Sequence, residues 1–261
     1  MQLIVGSSSE SLAIEVIRRI SSTFRECVEK RDVFTIAVSG GSMPKILREL
    51  SNAEGVDWAK CRMFFADERC VALDHKDSNN KAWAELLAAA GVPPENIIAV
   101  NTELPPDQAA AEYEAKLKKT FGSDGDQLPR FDLCLLGVGP DGHTCSLFPS
   151  HPLLEERTKW VAHIMDSPKP PSERVTLTYP VLNASRNVMF IGTGEGKASL
   201  LPQLLRRVEG EGGGLLEPAG ALSPFPAARV TLEGNLNLSW CVDMAAASQC
   251  PPEILSLATM C

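Results

Sequence analysis

No window of this chain approaches the ~20 uninterrupted apolar residues that a membrane-spanning helix needs, so no membrane partner is expected. The opening residues, Met1-Gln2-Leu3-Ile4-Val5-Gly6-Ser7, lack a basic n-region and carry only a short apolar run. They do not read as a secretory signal, and the expected address is cytoplasmic. There is no C-x-x-C and no cysteine spacing that suggests a metal cage; the eight cysteines stand singly, several inside apolar stretches where a reduced thiol packs as a small hydrophobe. A reducing compartment and no metal follow. Positive charge is also short: 25 Lys and Arg against 33 Asp and Glu leave a net charge of -8. Nucleic acid is not an expected partner, because counterion release requires clustered cations, and an anionic substrate would need local cations to overcome the global field. No internal repeat and no composition break mark a linker, and 261 residues suffice for a full core, so residues 1–261 read as one domain.

What the chain does have is alternation of short apolar runs with helical patterns. The most informative run is Phe131-Asp132-Leu133-Cys134-Leu135-Leu136, which reads as a buried strand and passes at once into Gly137-Val138-Gly139-Pro140-Asp141-Gly142-His143-Thr144. Open α/β sheets hold their ligands where strands run into such turns. The turn delivers a histidine, the only side chain that titrates near neutrality unaided, and so a candidate proton carrier. Gly137, Gly139 and Gly142 also spell G-x-G-x-x-G. A dinucleotide site wants the first strand-turn-helix of a domain and an acidic residue about 20 positions on, ending the next strand. Here the turn lies mid-chain and Glu155-Glu156 falls in a polar segment, so the glycines are read as making room for a loop.

Elsewhere, Ser7 with Glu10 forms a capping-box pattern before a helix carrying Leu12, Val16, Ile17, Ile20, Phe24 and Val28 at helical spacing. Val33 to Val38 is a strand that breaks into Ser39-Gly40-Gly41-Ser42, with Pro44 in the first turn of a helix. That arrangement either aims free N–H groups at an anion or is a plain tight turn. Cys61 to Ala66 is a strand ending in Asp67-Glu68-Arg69, which either lines the same cleft or is a solvated loop. Helices are expected from Asp77-Ser78-Asn79 to Gly91 and from Pro105-Pro106 through Phe121. Later strands are read at 159–164, 174–178, 187–191 and 236–242, the last handing over to a helix at Asp243. A loop is read at 167–171. Asn187 to Ile191 runs into Gly192-Thr193-Gly194-Glu195-Gly196-Lys197 and a helix over Leu200 to Leu205. It is no Walker loop, since Ile191 stands at the first glycine and Ala198 at the Ser/Thr, but it leaves a lysine at a helix start as a phosphate contact. Residues 209–220 read as a glycine-rich surface loop. The fold class is therefore α/β with a largely parallel sheet.

Ser39–Ser42, Asp67-Glu68-Arg69, Ser78-Asn79, the Gly137–Thr144 turn with Ser146-Leu147-Phe148-Pro149, Arg174-Val175-Thr176 and Gly192–Lys197 together resemble the 6-phosphogluconolactonases, relatives of the glucosamine-6-phosphate deaminases and ribose-5-phosphate isomerases. The likeness runs from the Ser39 loop to Trp240 and the Ala245-Ala246-Ala247 helix. It implies a Rossmann-like three-layer sandwich, hydrolysis of 6-phospho-D-glucono-1,5-lactone to 6-phosphogluconate in the oxidative pentose phosphate pathway, and neither metal nor organic cofactor. In these terms His143 is the general base and Arg69 a donor to the developing oxyanion. The 6-phosphate is held by Ser39, Gly40, Gly41, Ser42, Arg69, Lys197 and Arg174, with Asp67 ordering Arg69. Asp141 either orients His143 or caps the following turn. Ala72, Met43 and Asn80 depart from the usual pattern and bear on the pocket's shape, not on the reaction.

His75, His151 and His163 have no such context, and Cys145 is not expected to act as a nucleophile. Two rivals remain. A deaminase or phosphosugar isomerase would share the fold, but it uses an acidic residue a few positions past the histidine, where Leu147-Phe148-Pro149 stands. A non-catalytic phosphosugar sensor would carry a basic DNA-binding segment, which the chain lacks. The expected partner is a small phosphorylated sugar lactone, and the expected assembly a monomer or weak dimer.

Overall fold

The structure, a computed structural model, describes residues 1–122, 127–210, 213–232 and 237–261. Eight strands form its central sheet: β1 (Gln2–Gly6), β2 (Phe34–Val38), β3 (Cys61–Phe65), β5 (Ile97–Ile98), β6 (Leu133–Gly137), β9 (Asn187–Gly192), β12 (Asn237–Asp243) and β13 (Thr259–Met260). Their order is β13-β1-β12-β9-β6-β2-β3-β5, and every pairing is parallel. Parallel strands are covered on both faces, which is why they read as continuous apolar runs. Alternate residues divide between the two sides. Ile36, Val38, Leu133 and Leu135 pack with Leu12, Val16, Ile20 and Phe24 of α1 (Ser9–Arg31) and with Trp83 and Leu87. Ala37, Phe64, Cys134, Leu136, Phe190 and Trp240 face Tyr113 and Leu117 on the opposite side. Phe190 and Trp240 stack there at 4.2 Å between centroids. The result is the three-layer α/β sandwich expected from the sequence.

Two smaller sheets complete the fold. β4 (Asp67–Arg69), β7 (Val161–Ile164) and β8 (Arg174–Leu177) form an antiparallel sheet in the order β4-β8-β7. β10 (Leu205–Gly210) and β11 (Gly213–Pro218) form an antiparallel hairpin, tied by Arg206 and Glu217 at 2.9 Å. The hairpin replaces most of the expected loop at 209–220, of which residues 211 and 212 lie outside the described residues; glycine content hid a pairing made side by side. It also shortens the helix expected over Leu200–Leu205 to one turn, Leu201–Leu204, since Leu205 is already extended. Leu236 of the expected late strand lies outside the described residues as well.

The capping box is displaced by one residue. Ser8, not Ser7, is the N-cap; its Oγ accepts from the Ser11 N–H, and Ser11 Oγ accepts from the Ser8 N–H. A serine hydroxyl at the third helical position supplies the return bond that Glu10 was expected to make.

Candidate active site

β9, β6, β2 and β3 are neighbours at the centre of the sheet, and their carboxyl ends open on one side. The loops leaving them converge on a cavity of about 190 Å³ lined by Ser39–Ser42 after β2, Asp67 and Arg69 after β3, Gly137, Val138, Gly139, His143 and Cys145 after β6, and Ile191, Gly192, Thr193 and Lys197 at the end of β9 and beyond. Four stretches lying between Ser39 and Lys197 thus meet because their strands are adjacent and parallel. A larger cavity, about 350 Å³, lies beside Leu154, Tyr179 and Thr231, but no histidine lines it and its two arginines, Arg157 and Arg229, both donate to Glu155.

Helix α2 (Met43–Ile46) follows the Ser39 loop and is only one turn long, so the loop itself carries the donors. Among the described residues, the N–H groups of Gly40, Gly41 and Ser42 have no acceptor, and the buried Ser39 Oγ is unpartnered. A buried polar atom without a partner loses free energy unless a ligand or water satisfies it. Helix α3 (Asn79–Ala90) holds this loop against the next one. Trp83 Nε1 donates to the Ser39 carbonyl at 2.9 Å, and Asn79 Nδ2 donates to the Asp67 carbonyl at 2.8 Å. A methyl on Gly40 would lie 1.8 Å from Asn79 Oδ1, so the approach of loop to helix requires glycine.

Asp67-Glu68-Arg69 is neither a solvated loop nor three cleft residues. It is strand β4, and both carboxylates are buried. Asp67 reaches the cavity and accepts from Ser146 Oγ at 2.9 Å. Glu68 turns the other way and accepts from the Asn79 and Asn80 N–H groups at 2.7 and 2.8 Å, capping α3. Burial pushes its carboxyl up, while those backbone bonds oppose the shift. Arg69 donates through Nη1 to the Asp77 carbonyl at 2.8 Å, and its buried Nε has no partner.

The Gly137–Thr144 turn is closed by Gly139 N–H to the His143 carbonyl at 2.8 Å and by Thr144 Oγ1 to the Gly137 carbonyl at 2.9 Å. Within it His143 Nδ1 lies 2.5 Å from Asp141 Oδ1, and the ring packs on Phe148 with centroids 4.8 Å apart. Of the two readings of Asp141, its side chain adopts the contact to the imidazole. With Nδ1–H donated there, Nε2 keeps its lone pair and has no protein partner among the described residues. Burial holds the imidazole below its ordinary value, with Asp141 opposing and Lys169 reinforcing the shift. Burial works against the Asp141 carboxylate too, yet bonds from His143 and Lys169 hold it at about 2. The Cys145 thiol lines the cavity but is pushed well up by burial, so it is a poor nucleophile. His75 and His163 lie outside the cavity, and His151 caps a short helix through Nδ1.

Lys197 falls in a one-turn 3₁₀ segment, Glu195–Lys197, rather than at the start of a long helix. Burial, and then Lys169, lower its ammonium. Asp243 organises this loop: its carboxylate accepts from the Gly194 N–H at 3.0 and 3.1 Å and caps the helix that follows it. The phosphate role expected of Arg174 does not fit its position. It is buried outside the cavity, donating to the carbonyls of Pro171 at 2.9 Å, Lys169 at 3.0 Å and Pro170 at 3.2 Å. The same arrangement brings Lys169 to Asp141, a contact for which residues 167–171, read simply as a loop, gave no signal.

An imidazole whose pKa burial lowers, two cations and a ring of open N–H groups line one cavity at the carboxyl edge of a parallel sheet, the arrangement of an α/β enzyme site for an anionic substrate. The chain belongs to the glucosamine-6-phosphate isomerase/6-phosphogluconolactonase family, whose model matches residues 7–240. It is 44% identical over 250 residues to the human 6-phosphogluconolactonase, covering 93% of this chain and 91% of the relative. A chloroplastic 6-phosphogluconolactonase of Arabidopsis thaliana is 41% identical over 82% of this chain and 67% of its own. The 6-phosphogluconolactonase structure of Trypanosoma cruzi superposes with a TM-score of 0.77 at 27% identity, covering 95% of this chain and 96% of that one. That of Thermotoga maritima gives 0.74 at 26%, covering 93% and 100%. The family and fold expected from the motifs are thus both found. Among the described residues no helix is long and apolar enough to cross a membrane.

Proposed function

We propose that the chain hydrolyses 6-phospho-D-glucono-1,5-lactone to 6-phosphogluconate, with His143 as general base. The observation that carries this reading is the imidazole: held by Asp141 at Nδ1, kept below its ordinary pKa by burial, and lining a cavity that Arg69 and Lys197 also line. Nε2 takes a proton from water as the water oxygen bonds to the lactone carbonyl carbon, and the carbonyl electron pair moves onto oxygen. Asp141 stabilises the imidazolium formed. Collapse of the tetrahedral species breaks the bond to the ring oxygen, which takes the proton back from Nε2 and leaves as the sugar hydroxyl. Loop N–H groups or Arg69 receive the oxyanion. The 6-phosphate is gripped by Lys197, Arg69 and the Ser39–Ser42 loop, whose Gly40, Gly41 and Ser42 N–H groups and Ser39 Oγ lack partners among the described residues.

A deaminase would place a carboxylate shortly after the histidine. Phe148 occupies that segment and lies against the ring, which supports hydrolysis over ring opening. The test follows acid release from freshly prepared lactone against the spontaneous background. Release well above background supports the proposal; ammonia from glucosamine 6-phosphate without lactone hydrolysis overturns it.

Two expectations accompany the mechanism. Lys197→Ala raises KM for the lactone by about tenfold or more, with a smaller change in kcat, because a charged hydrogen bond to phosphate is lost in ground and transition states alike. Equal loss of kcat at unchanged KM would move Lys197 to the reacting centre. Secondly, kcat/KM loses activity on the acid side with a midpoint below the ordinary histidine value of about 6.5. The sign follows from burial: the neutral, basic form persists to lower pH in the folded protein than in a free imidazole, so protonation removes the base only further down. An acid limb centred above 6.5 would contradict the assignment.

A further inference from the structure

An orienting carboxylate creates a difficulty for a histidine base. Asp141 fixes the ring, but a full negative charge 2.5 Å from Nδ1 also favours the imidazolium, and a base that is already protonated cannot accept a proton from water. The structure contains an answer in the segment after β7. Lys169 Nζ donates to Asp141 Oδ1 at 2.9 Å, the same oxygen that holds His143, and lies 3.2 Å from His143 Nδ1. With the Nδ1 proton committed to Asp141, the ammonium is no hydrogen-bond partner of the ring. It is a like charge beside the imidazolium and a countercharge to the carboxylate, and both effects favour the neutral ring.

The lysine is built into place. Its carbonyl accepts from Ser167 Oγ at 2.8 Å and from Arg174 Nη2 at 3.0 Å, and its N–H donates back to Ser167 Oγ at 3.2 Å. Arg174 also binds the next two carbonyls, and its guanidinium lies 5.5 Å from the centroid of Phe148, the ring against which His143 packs. One buried arginine thus braces both the backbone that carries Lys169 and the aromatic face behind the base. We propose that Lys169 is a positioning residue of the site, which neutralises Asp141 so that this carboxylate orients His143 without making it a permanent cation.

The inference rests on the reading of His143 as base. Besides Asp141 and Lys169, the ring is faced by Asp67 from β4, by the Cys145 thiol on its own loop, and by Arg69 and Lys197 across the cavity. Among the described residues none of these is hydrogen-bonded to Asp141 or His143, whereas Lys169 meets both and also lowers the Lys197 ammonium, so the His143 midpoint is read directly beside the kinetics.

The experiment compares wild type with Lys169→Met and Lys169→Arg. The ring of His143 is titrated by NMR, with His143→Gln to assign its signal, and lactone kinetics are run across pH. In Lys169→Met the midpoint of His143 rises by about one pH unit. The acid limb of kcat moves with it, so that the rate at pH 6 falls several-fold while KM stays within about twofold, and Lys169→Arg restores both midpoint and limb. A midpoint unmoved in Lys169→Met, or moved equally in Lys169→Arg, overturns the proposal. So does a rise in KM at constant kcat, which would make Lys169 a substrate contact. The NMR arm needs no turnover: if the wild type proves inactive on lactone, the coupling of Lys169 to His143 is still measured, and it is the lactonase reading that fails.

Discussion

His143→Ala lowers enzyme-driven hydrolysis of the lactone by about 10²–10⁴-fold, the usual contribution of a positioned acid–base group. No neighbour can take over. Asp67 already accepts from Ser146 and Asn79, and the Cys145 thiol is raised by burial beyond use near neutrality. What survives is binding and the electrostatics of Arg69 and Lys197, so the residual rate remains measurable above the spontaneous background. The fold survives as well, because the ring lies at the cavity wall against Phe148 rather than within either apolar core. Initial rates of acid release, with a thermal melt on the same preparations, check both halves. Residual activity within about tenfold of wild type would place the base elsewhere.

Gly139→Ala produces a loss of similar size without touching a functional group. A Cβ on residue 139 would stand 2.0 Å from both Cε1 and Nδ1 of His143 and 2.8 Å from Asp141 Oδ1. The ring cannot simply swing away, since Asp141 holds one edge and Phe148 covers one face. The methyl therefore expels the imidazole from its seat, and a displacement of about 1 Å at a reacting group is enough for a 10²-fold loss. The backbone itself tolerates the change, because Gly139, unlike Gly142 at φ +77°, is not in the left-handed region. The expected signature is a folded protein with nearly wild-type melting and the activity of the His143 variant. If Gly139→Ala keeps more than about a tenth of the wild-type rate, the ring has room that its contacts deny.

The contrast between these two variants marks what local sequence shows. That His143 matters is visible in the strand-to-turn pattern around it; that Gly139 is a steric partner of the ring follows only from coordinates, since three glycines in the turn look alike on the page. Glu68 makes the same point. It stands between two cavity residues in the sequence, but strand alternation turns its carboxylate away, onto the first turn of α3. Arg174 was legible as a cation at a strand end and illegible as a brace, because its three acceptors belong to a loop with no periodicity of its own.

The alternation of strands and helices, the parallel sheet and the four loops that carry the site were all legible in the order of residues. These are encoded by patterns of a few adjacent residues: apolar runs of strand length, glycine at the turn, polar residues just beyond. What each carboxylate of the site holds was settled only by the tertiary fold. Lys169 meets Asp141 across 28 positions, Asp67 meets Ser146 across 79, and Asp243 meets Gly194 across 49. Such pairs leave no local trace, because their energy comes from burial and distance, which exist only once adjacent parallel strands have brought the loops to one edge.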